Sequence, residues 1–130
     1  AAGAKRIYDV IDQPIKISND KSLPDLKISE GNIKFSNVSF KYENSNDKAI
    51  QDINLDIKGG SMAAFVGHSG AGKSTIINLL PRFYDPQNGE IYIDNQNTRS
   101  ANLNSLRKSI SLVSQDVILF DSSIKENILY

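Results

Sequence analysis

Two stretches of the chain alternate between apolar and polar residues. Ile33 and Phe35 begin the first stretch and Val38 and Phe40 end it, with a shift of one position between Phe35 and Val38. Residues 53–57 alternate without interruption. Alternation with a period of two predicts a strand with one buried face, and the shift predicts a β-bulge. We therefore expect an antiparallel β layer that leaves one face open to solvent.

A different pattern starts further along the chain. Residues 62–66 are all apolar and lead directly into Gly67. Such a run predicts a strand covered on both faces, as in a parallel sheet. After the glycine, the apolar spacing in residues 76–80 predicts a helix that stops or kinks near Pro81. The order of buried strand, glycine turn and helix is typical of α/β proteins.

The rest of the pattern predicts shorter elements. They are an amphipathic helix in residues 1–12, a linker rich in turn-forming residues in residues 14–30, strands in residues 90–94 and 111–113, a short helix in residues 103–110, and a last helical turn capped by Ser122 or Ser123. Together these elements indicate an α/β architecture with a β-rich entry section.

Composition narrows the possible functions. The 130 residues fit one domain, and 15 basic residues balance 15 acidic ones, so no overall charge attracts nucleic acid. Without cysteine and with one histidine, His68, the chain has no disulfide, thiolate nucleophile or multi-histidine zinc site. Its longest apolar run is far shorter than the roughly 20 residues that span a bilayer. The chain begins with Ala1 instead of methionine, so we expect a piece of a longer protein.

The strongest chemical signal follows the apolar run. Residues 67–74, called here the glycine loop, satisfy the P-loop pattern G-x-x-x-x-G-K-[ST]. They are Gly67, His68, Ser69, Gly70, Ala71, Gly72, Lys73 and Ser74. Glycines without Cβ atoms let backbone N–H groups converge at the positive end of a helix, which makes an anion nest. The loop therefore predicts a polyphosphate site, and the alternative is a turn that only lets strand and helix pack.

Each side chain of the motif has an expected role. Lys73 would reach between the β- and γ-phosphates of a nucleotide, and Ser74 would offer its hydroxyl to Mg²⁺. Thr75 would touch the α-phosphate, unless it is an ordinary residue of the first helical turn. The ring of His68 is interpreted as a solvent-facing side chain, because backbone amides bind the phosphates at that position.

The sequence around the loop distinguishes among P-loop proteins. A β-rich stretch precedes the loop, whereas nucleotide kinases tend to begin near the loop strand, so a simple kinase is disfavoured. Guanine-specific switches need an Asp-x-x-Gly downstream of the loop and an Asn-Lys-x-Asp guanine reader. The chain has no Asn-Lys-x-Asp, and its one Asp-x-x-Gly, in residues 56–59, precedes the loop. Guanine specificity is therefore disfavoured as well.

Further motifs surround the loop and point to one family. They are Val-Ser-Phe-Lys-Tyr in residues 38–42, Phe-Tyr-Asp-Pro in residues 83–86, Gly-Glu-Ile in residues 89–91, Leu-Arg in residues 106–107, and Val-Ser-Gln-Asp and Leu-Phe in residues 113–116 and 119–120. With these motifs the whole chain resembles the nucleotide-binding domain of ATP-binding-cassette (ABC) transporters of the half-transporter exporter type. Residues 111–120 look particularly similar to bacterial lipid-flipping and multidrug exporters.

The resemblance implies ATP and Mg²⁺ as ligands and assigns roles to two residues outside the loop. Tyr42 matches the aromatic residue whose ring stacks on adenine, and the alternative is an aromatic side chain that packs on the core. Gln115 matches the glutamine that contacts Mg²⁺ or the attacking water and senses the membrane domain, and the alternative is a solvated loop amide. Residues 116–123 resemble the surface that receives the coupling helix of the transporter.

The resemblance also divides the chain. Residues 1–13 match the tail of the last transmembrane helix, residues 14–30 match a linker, and residues 31–130 match the N-terminal part of the nucleotide-binding domain. Residues 117–121 have the form of a Walker B strand, but Ser122 stands where a catalytic glutamate should follow. We interpret them as the stretch after the family's glutamine, without a metal ligand.

The parts that complete the family's site do not appear in the sequence. The Leu-Ser-Gly-Gly-Gln signature, the apolar strand ending in Asp-Glu with its catalytic glutamate, and the downstream histidine are missing. The expected fold class is therefore α/β, with an incomplete P-loop NTPase core and an antiparallel β subdomain on its N-terminal side. Residues 62–66 would keep an unpaired apolar edge, which favours oligomerisation or strand swapping.

The function implied by the resemblance belongs to a longer parent protein. The parent would be an ABC-type ATPase that couples ATP hydrolysis to export of lipids, drugs or other substrates. Its partners would be its own transmembrane domain and a second nucleotide-binding domain, at the cytoplasmic face of a bacterial inner membrane, without nucleic acid. The chain alone would be soluble and bind ATP but hardly hydrolyse it. The alternatives are a nucleotide-responsive, non-catalytic binding module and a structural fragment with a vestigial loop.

Overall fold

The computed structural model describes residues 2–113 and 119–129 of the chain. Its elements in chain order are α1 (Ala2–Ile11), β1 (Ile33–Phe40), β2 (Ile50–Ile57), α2 (Lys73–Leu79), β3 (Asn88–Ile93), β4 (Gln96–Asn97), a 3₁₀ turn (Thr98–Ser100), α3 (Leu103–Lys108) and α4 (Ile124–Leu129).

An antiparallel sheet with the strand order β2-β1-β3-β4 organises the fold. Phe35 of β1 lies opposite Leu55 of β2 on one side and Ile91 of β3 on the other. The register between β1 and β2 shifts between Phe35 and Val38, which confirms the predicted bulge. Within the bulge, Asn37 has a φ of 49°, a left-handed conformation that asparagine tolerates better than most residues. The predicted antiparallel layer is therefore confirmed.

Two apolar clusters form the core. The first lies between the sheet and α2 and consists of Phe35, Val38, Phe40, Ile50, Leu79 and Ile91. The second lies around α3 and consists of Leu26, Ile93, Ala101, Leu103 and Leu106. α2, the helix that follows the glycine loop, contributes the fully buried Leu79 to the first cluster. This side chain anchors α2 against the sheet.

Residues 14–30, the expected linker, form neither helix nor strand but pack on the rest of the chain. Leu26 is buried in the second cluster, and its amide donates to Ser105 Oγ at 2.8 Å. The carbonyl of Pro24 accepts a hydrogen bond from the amide of Asn102 at 2.8 Å. This segment is therefore held against α3 along its second half.

Asp94 ties the end of that irregular segment to the turn between β3 and β4. Its carboxylate accepts hydrogen bonds from four consecutive backbone amides, those of Ser29, Glu30, Gly31 and Asn32. The hydrogen bonds from Gly31 and Ser29 are the main reason that the pKa of Asp94 lies far below its usual range. The entry to β1 is therefore fixed by a single carboxylate.

The strand expected in residues 62–66 is wrong. These residues form no strand, and the side chains of Met62 and Val66 are 99% and 91% exposed. A parallel strand covered on both faces needs neighbours, and within residues 2–113 and 119–129 no strand pairs with this run. The strand expected in residues 111–113 is also wrong, since no regular element forms there.

The predicted helices are present. α1 and α3 lie where the apolar spacing placed them, and α2 ends at Leu79, shortly before Pro81. Ser123 caps α4 in a capping box, because its hydroxyl accepts from the amide of Glu126 at 3.3 Å while its own amide donates to the Glu126 carboxylate at 2.9 Å. Among the described residues, no helix is both long and apolar enough to cross a membrane.

Candidate nucleotide-binding site

The glycine loop leads directly into α2, and Gly72 fixes the junction. Gly72 is the N-cap of α2 with a φ of 84°, a left-handed conformation that favours glycine. A Cβ atom at this position would lie 2.5 Å from Ile50 Cγ2 and 2.6 Å from the carbonyl oxygen of Ala49. The loop can therefore approach the start of β2 this closely only because residue 72 has no side chain.

Several backbone amides of the loop are available to a ligand, although that of Ala71 donates to the carbonyl oxygen of His68 at 3.2 Å. Within the part of the chain that the structure describes, no protein acceptor is found for the amides of Gly70, Gly72, Lys73 or Ser74. The first amides of a helix have no partner inside the helix, and they concentrate positive potential at its N-terminus. The arrangement fits a polyphosphate, which supplies several negatively charged acceptor oxygens at one place.

The ammonium group of Lys73 lies over the loop itself. Its Nζ donates to the carbonyl oxygens of Gly67 at 2.9 Å and His68 at 2.7 Å. These two hydrogen bonds connect the end of the loop to its beginning and place the ammonium charge of Lys73 beside the loop backbone. The imidazole of His68 is exposed, and its Nδ1 donates to the carbonyl oxygen of Ser69 at 2.8 Å.

Tyr42 lies beside the loop although 33 residues separate it from Thr75. The Tyr42 hydroxyl is 3.2 Å from Thr75 Oγ1, in the first turn of α2. The Tyr42 ring makes near-perpendicular contacts with the rings of Phe40 at 4.8 Å and Tyr84 at 5.2 Å between centroids. The ring therefore packs on the core, as the alternative interpretation of Tyr42 holds, and it also borders the loop.

One cleft of about 510 Å³ connects these parts. Its lining comprises Tyr42, Ser45, Asp47, Lys48, Ala49 and residues 69–75. A cleft of this size is in the usual range for a small-molecule site. The structure thus brings Tyr42, the backbone of the loop, Lys73, Ser74 and Thr75 to one place.

Four lining residues, Ser45, Asp47, Lys48 and Ala49, were not singled out in the sequence. Ser45, Asp47 and Lys48 belong to the polar connection between β1 and β2, where the Ser45 amide donates to the carbonyl oxygen of Tyr42 at 3.0 Å. This hydrogen bond folds the connection back toward the loop. The sequence contained one indication of these lining residues, namely that they follow Tyr42 directly in the chain. A tight turn keeps such neighbours beside a site residue.

Other expected site residues fall outside the part of the chain that the structure describes. Gln115 lies outside the described residues, as do residues 117 and 118 of the Walker B-like stretch. Ser74 is exposed. Across residues 2–113 and 119–129, no group of three or more histidine, cysteine, aspartate or glutamate side chains could hold a metal ion.

An ion pair stabilises the turn behind the site. The guanidinium of Arg82 donates to both carboxylate oxygens of Asp85 at 2.9 Å. Partial burial raises the pKa of Asp85, but the hydrogen bond and charge of Arg82, with a contribution from Arg99, bring it below its ordinary value. Asp85 is therefore charged at neutral pH and holds Arg82 in place.

A glycine-rich loop with free amides, which ends in Lys-Ser at the start of a helix, defines a P-loop nucleotide-binding protein. The comparisons with known proteins identify the family. A sequence model described as ABC transporter matches residues 50–128. The chain therefore belongs to the ABC transporter family, and the resemblance found in the sequence and the expected fold class are both confirmed.

Individual relatives agree with this membership. A protein of Staphylococcus aureus strain NCTC 8325, described as a multidrug export ATP-binding/permease protein, is 46% identical over 123 residues, which are 95% of this chain and 21% of the relative. Its counterpart in the bovine strain RF122 is 45% identical over the same length. A solved structure of a bacterial Atm1-family ABC exporter with ATP bound matches 96% of this chain and 22% of its own, with a TM-score of 0.85 and 37% identity. The chain spans about a fifth of the length of these relatives.

Proposed function

We propose that this chain binds ATP as part of the nucleotide-binding domain of an ABC exporter. The observation that carries the proposal is the cleft in which the unpartnered amides of the glycine loop and the ring of Tyr42 face one space. The amides suit a triphosphate, and the aromatic ring suits a purine base. Family membership supports ATP as the nucleotide.

The proposed roles follow the residues of the loop. The amides of Gly70 and Gly72 would bind phosphate oxygens, and Lys73 would exchange its two carbonyl acceptors for the β- and γ-phosphates. Ser69 and Ala71 would contribute through their backbone. Ser74 would hold Mg²⁺, and Gln115 would complete that site and contact the attacking water. When bound, Mg²⁺ supplies positive charge that neutralises the phosphates.

Thr75 and Tyr42 would complete the nucleotide contacts. We propose that the Thr75 hydroxyl, which lies 3.2 Å from the Tyr42 hydroxyl, contacts the α-phosphate. The Tyr42 ring would stack on adenine. His68 would remain solvent-facing, and only its backbone would contribute to the loop. These assignments extend over both ends of one cleft, which suits a ligand with a charged tail and a flat base.

The function of the whole protein is proposed from its relatives. They are described as multidrug export ATP-binding/permease proteins, so the parent of this chain would couple ATP hydrolysis to export. Residues 31–130 would be the first part of the nucleotide-binding domain, residues 14–30 a linker, and residues 1–13 the tail of a transmembrane helix. The chain would lie at the cytoplasmic face of a bacterial inner membrane, against its own transmembrane domain and a second nucleotide-binding domain.

Hydrolysis by the chain alone should be negligible. General-base catalysis contributes a factor of roughly 10²–10⁴ in typical enzymes, and the chain lacks the glutamate that would act as the base. We expect no steady-state ATPase rate above the rate without protein. A clear rate that disappears in Lys73→Ala would show that this chain carries its own catalytic group.

Calorimetric titration with Mg-ATP tests the binding proposal. Lys73→Ala should weaken binding by about tenfold or more, since a charge-assisted hydrogen bond contributes on the order of 1.5–3 kcal/mol. The control is Lys108→Ala, which removes an exposed lysine from the last turn of α3, away from the cleft. Equal affinities of Lys73→Ala and the unsubstituted chain, or no binding at all, would contradict the proposal.

A further inference from the structure

Tyr84 packs against Tyr42 from the segment that follows α2. The two ring centroids are 5.2 Å apart with planes at 87°, and the rings of Tyr84 and Phe40 are 5.4 Å apart at 47°. Phe40, Tyr42 and Tyr84 form one cluster of three rings. Tyr84 is 41% exposed, so its ring contributes to the cluster without being enclosed in the core. Tyr84 therefore contacts both the buried ring of Phe40 and the ring of Tyr42 that borders the loop.

Gln87 holds the backbone next to Tyr42. The Lys41 amide donates to Gln87 Oε1 at 2.8 Å, and Gln87 Nε2 donates to the carbonyl oxygen of Lys41 at 2.9 Å. The Gln87 amide also donates to the carbonyl oxygen of Ser39 at 3.1 Å. The Gln87 side chain thus makes the two backbone hydrogen bonds at Lys41 that a neighbouring strand would otherwise make. It thereby fixes the direction in which the chain leaves β1.

The segment that carries Tyr84 and Gln87 is itself anchored. Arg82 is buried, forms the bidentate pair with Asp85, and donates from Nη1 to the carbonyl oxygen of Thr98 at 3.3 Å. Arg107 Nη2 donates to the carbonyl oxygen of Arg82 at 2.8 Å. Contacts from α3 and the 3₁₀ turn therefore hold the segment in one position relative to β1.

We infer, on the basis of the proposed function, that Tyr84 and Gln87 are positioning residues for the adenine-stacking ring of Tyr42. Tyr84 fixes the ring and Gln87 fixes the backbone before it. A ring held in its binding orientation loses less conformational freedom when a base stacks on it, which increases affinity. Neither residue lines the cleft formed by Tyr42 and the loop, so each would act on the nucleotide only through Tyr42 and the backbone before it, at the adenine end.

The test compares two ligands. Dissociation constants for Mg-ATP and for inorganic tripolyphosphate with Mg²⁺ are measured by calorimetry on the full chain, and their ratio reports the contribution of the adenosine part. Tyr84→Leu and Gln87→Leu should each weaken ATP binding by about fivefold to tenfold and leave tripolyphosphate binding within about twofold, because base stacking on an aromatic ring is limited in size. Tyr84→Phe should keep the ratio, since the Tyr84 hydroxyl has no hydrogen-bond partner among the described residues.

The chain supplies matched controls. Gln96 makes the same pair of hydrogen bonds to the backbone of Lys27, and neither residue lines the cleft, so Gln96→Leu removes an equivalent clamp. Tyr92→Leu removes a tyrosine from β3, where its hydroxyl donates to Glu90. Both controls should leave the ratio of the two dissociation constants unchanged, and circular dichroism establishes that each variant is folded.

The outcomes separate this inference from the proposed function. If the ratio of the ATP to the tripolyphosphate dissociation constant stays unchanged in both folded variants but rises in Tyr42→Ala, the inference is overturned and the proposed function stays intact. Equal loss of ATP and tripolyphosphate binding also overturns it, because the residues would then support the loop. An unsubstituted chain that binds neither ligand overturns the proposed function and the inference together. Should one variant fail to fold, the other decides.

Discussion

Two apolar stretches of this chain have opposite surroundings. β1 pairs with β2 on one side and β3 on the other, and Val38 at its bulge has no exposed surface. Residues 62–66 are more uniformly apolar, yet Val66 is 91% exposed. Antiparallel partners for β1 follow within the described chain, whereas a parallel strand needs partners reached through crossover connections. An apolar pattern therefore indicates that a segment is suited to burial, but it does not indicate which other segments bury it.

The glycine loop joins the mostly exposed residues 62–66 to α2, and its attachment depends on the packed part of the molecule only. On its N-terminal side residues 61–64 and 66 are exposed and Phe65 is half-buried. On its C-terminal side Gly72 contacts the start of β2, and Leu79 of α2 is fully buried in the core. The position of the candidate site is therefore set by the packed region that follows the loop.

Gly72→Ala should have the largest effect on stability, because it breaks that attachment. The new Cβ atom would overlap Ile50 and the Ala49 carbonyl, and we expect a loss of about 3 kcal/mol or more in the free energy of unfolding. Gly70→Ala is the matched control, since Gly70 has nearly the same φ, 83° against 84°, with no atom within 4 Å of its Cβ position. That control should cost about 1 kcal/mol, measured by urea unfolding. Similar losses in the two variants would mean that the junction is not held by close packing.

Val38→Ala and Val66→Ala compare the two apolar stretches directly. The same atoms are removed at a buried position and at an exposed one. We expect a loss of about 2 kcal/mol for Val38→Ala, from transfer and cavity effects, and less than about 0.5 kcal/mol for Val66→Ala. A large loss for Val66→Ala would show that residues 62–66 are covered in solution, and a concentration dependence of that loss would identify a second copy as the cover.

The ion pair of Arg82 and Asp85 gives a smaller, pH-dependent contribution that belongs to the packed region. Because folding lowers the pKa of Asp85 below its ordinary value of 3.8, the stabilisation is fully present above that value and disappears as the pH falls through the folded pKa. We expect no more than about 1 kcal/mol from this term, since the pair is partly open to solvent. Urea unfolding between neutral pH and pH 3 measures it.

The matched variants for this measurement are Asp85→Asn and Asp25→Asn. The first removes the titrating group, so its difference in stability from the unsubstituted chain should shrink as the pH falls. The second changes an exposed aspartate in the irregular segment before β1. If the difference in the free energy of unfolding between Asp85→Asn and the unsubstituted chain stays constant with pH, the Asp85 carboxylate acts through its shape and not through its charge.

The sequence by itself determined the features that depend on neighbouring residues. The bulge after Phe35, the end of α2 near Pro81, a serine cap at Ser122 or Ser123 and the glycine loop each arise within a few positions, because backbone sterics and local hydrogen bonds act over that range. The motif also identified the loop residues, since each has a required size or charge.

Only the tertiary structure decided which distant segments meet. The contact of Tyr42 with Thr75 and Tyr84, the clamp of Gln87 on Lys41 and the burial of Leu26 all join residues that are far apart in the chain. Such contacts depend on strand register and on the angle at which elements pack, and a local pattern contains neither quantity. For the same reason the apolar residues 62–66 could be recognised in the sequence, but their lack of a partner among the described residues could not.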